Sequence, residues 1–440
     1  MTLKLSSLLL FLFATAVLGS GIGYSKLYLF HIALVLFTIS FFYYISIHGK
    51  QLTLRWPKSR FIYFFYFMFS YYALSILWSI EPLYTLRYLF YLLVGISIVF
   101  LMNAYIGDRQ KYLSVFKVLS IFFILAIVIA LFEVFTSFRL PTSPYSDYAA
   151  LFGRKGADFL EFESSVQSLI KSAPTSFWGN PNNFAVVMVL ILPFFLMHKK
   201  TLVRVIGAFT ILIVIVMAGS RGGFLAFLFG IGLYFFIRGL HYWLPMILAI
   251  IVGLLLFANN IEVLKNSDHH RVAQMAWAFD AAYLYLFDKE ESLNSIGSRQ
   301  LLIQNGLNAL WDSGGLGVGG GASQAVQEQL GGEAGKLGSM HNFWIEVLVD
   351  AGVAFFIFFM TWYLLLTYRL YRVYKKSRDR FYRYHGGALF ISMMAFLLAA
   401  VSASSVIYLL PMWLMFGFAI ALISLYKKER LYENNITRRS

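Results

Sequence analysis

Ser339-Met340-His341-Asn342-Phe343-Trp344-Ile345-Glu346-Val347-Leu348-Val349-Asp350-Ala351-Gly352 joins a polar, glycine-rich stretch to a strongly apolar run. A switch from loop chemistry to continuous apolar sequence marks the start of a membrane helix. Ser339 or Asn342 can cap it, because either side-chain oxygen can accept the unpaired amides of a first turn. His341 then stands in or beside that turn, at the mouth of the helix. Glu346 and Asp350 are four apart and share one helix face. Taken alone, the stretch reads equally as a capped helix with an interfacial histidine or as part of a site.

The surrounding composition settles the class. The 440 residues are 60% hydrophobic and 13% charged, with a mean hydropathy of +0.71. Soluble domains carry about 25% charged residues, so an all-α polytopic membrane protein is expected. Apolar runs approaching the ~20 residues of a membrane helix recur near 5–22, 27–47, 61–78, 88–105, 113–135, 184–197, 203–218, 223–237, 243–257, 343–366, 387–403 and 407–425. They predict about twelve transmembrane helices in a single membrane domain over 1–440. The first run, with Lys4 before it and Gly19-Ser20 after it, also fits a signal peptide. The absence of cysteine excludes disulfides and thiolate metal sites.

Charge orients the chain. With the N-terminus inside, the cytoplasmic segments collect 23 of the 36 basic residues and four acids, among them Arg55, Arg109, Arg204, Arg378 and Lys427. That bias is the positive-inside rule, and it puts both termini in the cytoplasm. The net charge of +15 then answers to anionic lipid headgroups and not to nucleic acid. Two long segments fall outside, 136–183 and 258–342. The larger carries a helical stripe of Val272, Met275, Phe279, Tyr283 and Leu286. A second helix is expected from Ser298, with Ile303, Leu307, Leu310 and Trp311 on its apolar face. The glycine run from Ser313 to Gly321 reads as a flexible connector to His341.

The membrane runs hold few ionisable groups, so chemistry belongs to the outer face. Arg221 opens a helix behind Ser220, Arg299 follows Ser298 in the same manner, and His341 opens the run from 343. Helix N-termini attract anions through free amides and the dipole. Arginine adds a planar fork that grips phosphate with two parallel hydrogen bonds. Two such arginines and a histidine describe a diphosphate site. The plainer alternatives are a snorkelling Arg221, a solvated Arg299 and an interfacial His341. Asp268-His269-His270 lacks a spaced partner for a metal. Gly335-Lys336 lacks the earlier glycine and the Ser/Thr of a phosphate loop. Glu133 reads as an interface carboxylate or a site residue.

Ser220-Arg221-Gly222-Gly223, Gly317-Val318-Gly319 leading to His341-Asn342 and Glu346, and Asn180-Pro181-Asn182-Asn183-Phe184-Ala185 resemble the O-antigen ligase/polymerase superfamily. The resemblance implies a GT-C-type membrane glycosyltransferase of the bacterial cytoplasmic membrane, with its site toward the exterior. It implies a glycan donor on a polyprenyl (undecaprenyl) diphosphate and a glycan or lipid-linked glycan acceptor. Arg221, Arg299 and His341 match the family's essential residues, with Glu346 as an orienting carboxylate and Asn342, Ser220, Asn182, Asn183 and Arg154 as substrate contacts. The chemistry implied is a metal-independent inverting displacement without cofactor, His341 being the base because its reference pKa of about 6.5 suits neutral pH. Members either polymerise repeat units or ligate a finished glycan to lipid A–core, and these motifs look more like polymerases. Other polysaccharide-assembly proteins are candidate partners. A transporter of lipid-linked glycans is the rival reading; it calls for charged groups near the bilayer midplane and paired broken helices.

Overall fold

A computed structural model describes residues 5–48, 57, 59–136, 138–156, 173–239, 259–267, 273, 276, 295–331, 338–403 and 406–437. Its main helices are α1 (Leu5–Leu18), α2 (Leu29–His48), α3 (Arg60–Leu74), α4 (Pro82–Tyr105), α5 (Arg109–Phe135), α6 (Pro181–Leu196), α7 (Thr201–Met217) and α8 (Arg221–Arg238). They continue with α9 (Ser295–Asp312), α10 (Ser323–Leu330), α11 (Phe343–Lys376), α12 (Arg380–Ala399) and α13 (Leu410–Thr437). Among the described residues the only sheet is a two-residue hairpin, Gly23–Tyr24 against Leu27–Tyr28.

Seven helices, α2, α3, α4, α5, α8, α11 and α13, are long and apolar enough to cross a membrane. Helices α1, α6 and α7 are apolar but shorter. Helix α12 has spanning length, yet it opens on Arg380 and Arg383 and is not among the seven. The expected run 243–257, the stripe from Val272 to Leu286 and the Asp268-His269-His270 triplet lie outside the described residues. Every other expected run falls on a helix, so the polytopic class stands while length and composition qualify seven crossings.

Buried helices hold the bundle together. Helix α6 is buried almost continuously from Asn183 to Pro193, and α12 packs against it, α11 and α8. Helix α13 packs on α4, where fully buried Trp413 fills a slot that exists because residue 95 is glycine. Its indole donates to the carbonyl of Ile407 at 2.7 Å.

The glycine run after α9 is no flexible connector. Val318 and Gly319 donate to the carbonyls of Val349 and Asp350 at 2.9 and 3.0 Å, and Val353 donates to Gly315 at 3.0 Å. Both carboxylate oxygens of buried Asp350 are taken, by the amides of Gly321 and Ser323 at 2.9 Å each. This clamp sits where α11 breaks, at Gly352 with φ 79° and ψ 172°. A side chain there would strike the carbonyl of Leu316, and one on Gly317 would come within 2.5 Å of the Gly352 amide. The glycines serve close backbone approach, not mobility.

Two further expectations are corrected. Helix α9 begins at Ser295, not Ser298, and its buried line is Leu302–Gly306–Leu310 at i, i+4 and i+8, with Gly306 seated on Met340. Trp311, expected on the apolar face, is 85% exposed. Glu133, near the end of α5, is not an exposed interface carboxylate. It is fully buried and accepts the amides of Thr175 and Ser176 at 2.8 and 2.7 Å, fixing the turn ahead of α6.

Candidate functional site

Three chain segments meet at the starts of α8 and α11. Gly219 turns the chain at φ 66°, and the Ser220 hydroxyl caps α8 by accepting from the Gly223 amide at 3.2 Å. What approaches the next two glycines is protein: Ser402 lies on Gly222 and Ala185 on Gly223. That packing fixes the direction of exposed Arg221, the first residue of the helix. At α11 the cap is Asn342 and not Ser339; its Oδ1 accepts from Trp344 and Ile345 at 3.2 and 3.3 Å. The Phe343 amide donates to Ala400 at 3.0 Å, tying this start to the end of α12. His341 is thereby held just outside the helix, at φ 45°, a left-handed conformation uncommon for a residue with a side chain.

Arg299 does not occupy a helix start. It is the fifth residue of α9, so the first-turn amides are not beside it. Its charge nevertheless lies in the same place. Burial and then the Arg221 charge lower the pKa of Arg299. Burial and then the Arg299 charge push His341 down to about 4, below the ordinary value that the sequence reading used. The Nδ1 of His341 is buried with no hydrogen-bond partner. Among the described residues no carboxylate pairs with Arg221 or Arg299. Arg299 thus lies within the field of Arg221 on one side and acts on the His341 imidazole on the other.

The other expected residues divide. Glu346 is 4% exposed, and one of its carboxylate oxygens accepts the Tyr88 hydroxyl of α4 at 3.1 Å. Asn183 is buried, and its side-chain oxygen has no hydrogen-bond partner among the described residues. Asn182 is half-buried beside it, its amide taken by the Asn180 cap at 2.9 Å. Arg154 is engaged elsewhere: its guanidinium donates to Ser20 at 2.9 Å and lies 4.9 Å from the centre of the Tyr28 ring.

Sequence reasoning overlooked a tyrosine group. Tyr84, Tyr88 and Tyr91 stand at i, i+4 and i+7 on α4, one helix face, and with Arg87, Glu346 and Tyr408 they line a cavity of about 130 Å³. The spacing was the available signal. In an apolar helix it reads as ordinary interfacial aromatics.

Residues 206–360 match a family model described as O-antigen ligase. The chain is also 24% identical over 376 residues to the teichuronic acid biosynthesis protein TuaE of Bacillus subtilis (strain 168), covering 83% of this chain and 72% of that protein. The matched span contains Arg221, Arg299 and His341. These findings support a membrane enzyme of polysaccharide biosynthesis that polymerises or ligates glycans.

Proposed function

We propose, from the O-antigen ligase/polymerase superfamily that the comparisons support for this chain, that it transfers a glycan from a polyprenyl diphosphate to a sugar hydroxyl. The observation that carries this reading is the Arg221–Arg299 pair. Two guanidinium groups lie within each other's field with no carboxylate beside them, among the described residues. Such a site is relieved by an anion, and paired forks suit the oxygens of a diphosphate.

The displacement then follows. The acceptor oxygen attacks the sugar C1 as the C1–O bond to the diphosphate breaks. The electron pair leaves with the polyprenyl diphosphate, whose growing charge the arginines stabilise. His341 takes the acceptor proton. Its depressed pKa keeps it neutral, hence able to accept, and diphosphate bound to Arg299 offsets the charge that weakens it. A single displacement inverts the anomeric centre, with no metal required.

The charge bias along the chain supports a bacterial cytoplasmic membrane setting, both termini inside and the site facing outward. The relative named for teichuronic acid biosynthesis supports polymerisation over transfer to lipid A–core. The test uses purified protein in vesicles with synthetic undecaprenyl-diphosphate oligosaccharide, chelator and no nucleotide. Longer lipid-linked glycans are expected. Product only on added lipid A–core acceptor would make it a ligase. Donor movement across the bilayer with no product would overturn the enzyme reading.

A further inference from the structure

The cavity against α4 lies apart from the Arg221–Arg299 pair, and the cation in its wall is Arg87, which sits over the Tyr84 ring. Its volume of about 130 Å³ far exceeds the ~10–15 Å³ a single water needs. Tyr84, Tyr88, Tyr91 and Tyr408 form its walls, Glu346 is buried among them, and Gln324 also lines it. Ser339 and Met340 line it too, so its wall runs into the backbone that carries His341. Neither arginine of the pair borders it.

That lining is selective. Aromatic faces suit the C–H faces of a pyranose, while a buried carboxylate accepts hydroxyl hydrogens. Tyr408 is partly exposed, yet burial of its hydroxyl end pushes its pKa up to about 12. It stays protonated through the neutral range. Tyr88, stacked on Tyr72 with ring centres 5.4 Å apart, orients Glu346 from beneath.

We propose that this cavity is the subsite for the acceptor's terminal sugar ring, gripped between the α4 tyrosines and Tyr408, with its hydroxyls on Glu346 and Gln324. The inference rests on the glycosyl-transfer reading above. A general base must come within ~2.6–3.2 Å of the proton it removes. The ring bearing that hydroxyl therefore lies against the 339–341 segment, while the donor's diphosphate stays with the arginines.

Saturation-transfer NMR tests it, on the full-length protein in nanodiscs. The probes are methyl glycosides of a hexose, an N-acetylhexosamine and a hexuronic acid, with sugar-free undecaprenyl diphosphate as the second ligand. At least one glycoside should bind, and should stay bound when undecaprenyl diphosphate is added. Tyr408→Ala should weaken that glycoside about tenfold, the scale of one lost ring stack, and Gln324→Ala should weaken it less. Both residues are partly exposed, so both variants keep the core intact; their affinity for undecaprenyl diphosphate should be unchanged and reports that they are folded. Binding by none of the glycosides, or glycoside binding displaced by undecaprenyl diphosphate, would overturn the subsite. Undecaprenyl diphosphate binding equally well to Arg221→Ala is a separate failure, read from a separate curve, and sinks the donor reading instead.

Discussion

Arg109 and Arg221 both open helices, and they are treated in opposite ways. Arg109, the first residue of α5, donates to both oxygens of Glu429 at 2.9 and 2.6 Å and stands 2.6 Å from Asp379. Its guanidinium also lies over the rings of Phe381 and Tyr382. Each of its three nitrogens has a carboxylate partner, and the result is a tie between α5, the start of α12 and α13. Arg221 has no such carboxylate among the described residues and faces another cation instead. The difference teaches how to read arginine in this chain. A paired guanidinium fastens helices; an unpaired couple, kept close by caps and glycine contacts, awaits an anion.

The largest effect that would break this contrast is at His341. His341→Ala should lower transfer by about 10²–10⁴-fold, the usual cost of losing a general base, while undecaprenyl diphosphate still binds. An alanine variant with normal turnover would leave the cations with no base beside them. Next comes Arg221→Lys, expected to lose about 10²–10³-fold in transfer, nearly as much as Arg221→Ala, because a point charge cannot replace a bidentate fork. Near-normal glycan assembly by the lysine variant would make Arg221 an interfacial charge.

A smaller, sharper test is pH. In the empty site His341 holds its proton only below about 4, so kcat/KM, which reports the free enzyme, should fall as pH drops through that value. Bound diphosphate adds negative charge and raises the pKa, so the acid limb of kcat should lie at higher pH. Coincident limbs would separate His341 from the field of the arginines. The smallest effect belongs to Arg109. Its pairs are more than a third exposed, and such pairs are worth about 1 kcal/mol or less. Arg109→Ala should lower the melting temperature slightly in a thermal shift assay and leave transfer intact. A large loss of transfer would mean the tie is functional after all.

The helices were legible because ~20-residue apolar runs have few other uses in a chain this poor in charge. The Ser220 and Asn342 caps were legible for the same kind of reason: short polar side chains directly ahead of apolar runs have a mechanical role. The fold of the glycine run was not. Glycine permits both a loose tether and the closest backbone packing, and only the partner surface of Val349, Asp350 and Gly352 tells them apart. The buried side of α9 was misread because Gly306 has no side chain to mark it as a contact, whereas Met340 sits directly on it. For Arg299 the sequence suggested a helix start, and the structure places it inside α9. It shares the site through space, across the α9–α11 packing, and not through a helix end. The Tyr84–Tyr88–Tyr91 face was written in plain spacing, but nothing local shows that Glu346, more than 250 residues later, lies beneath it.

The break at Gly352 has a mechanical consequence. The loop from 315 to 323 is stitched to Val349 and Asp350 before the break and to Val353 after it, and the long remainder of α11 passes on from there at its own angle. A helix meeting a thinner or thicker bilayer accommodates by tilting. Because the loop holds Val349 and Asp350 before the glycine and Val353 after it, tilt is expected along the helix beyond Val353 and not in the segment that holds the histidine. The same catalytic geometry should therefore persist in short-chain and long-chain lipids alike.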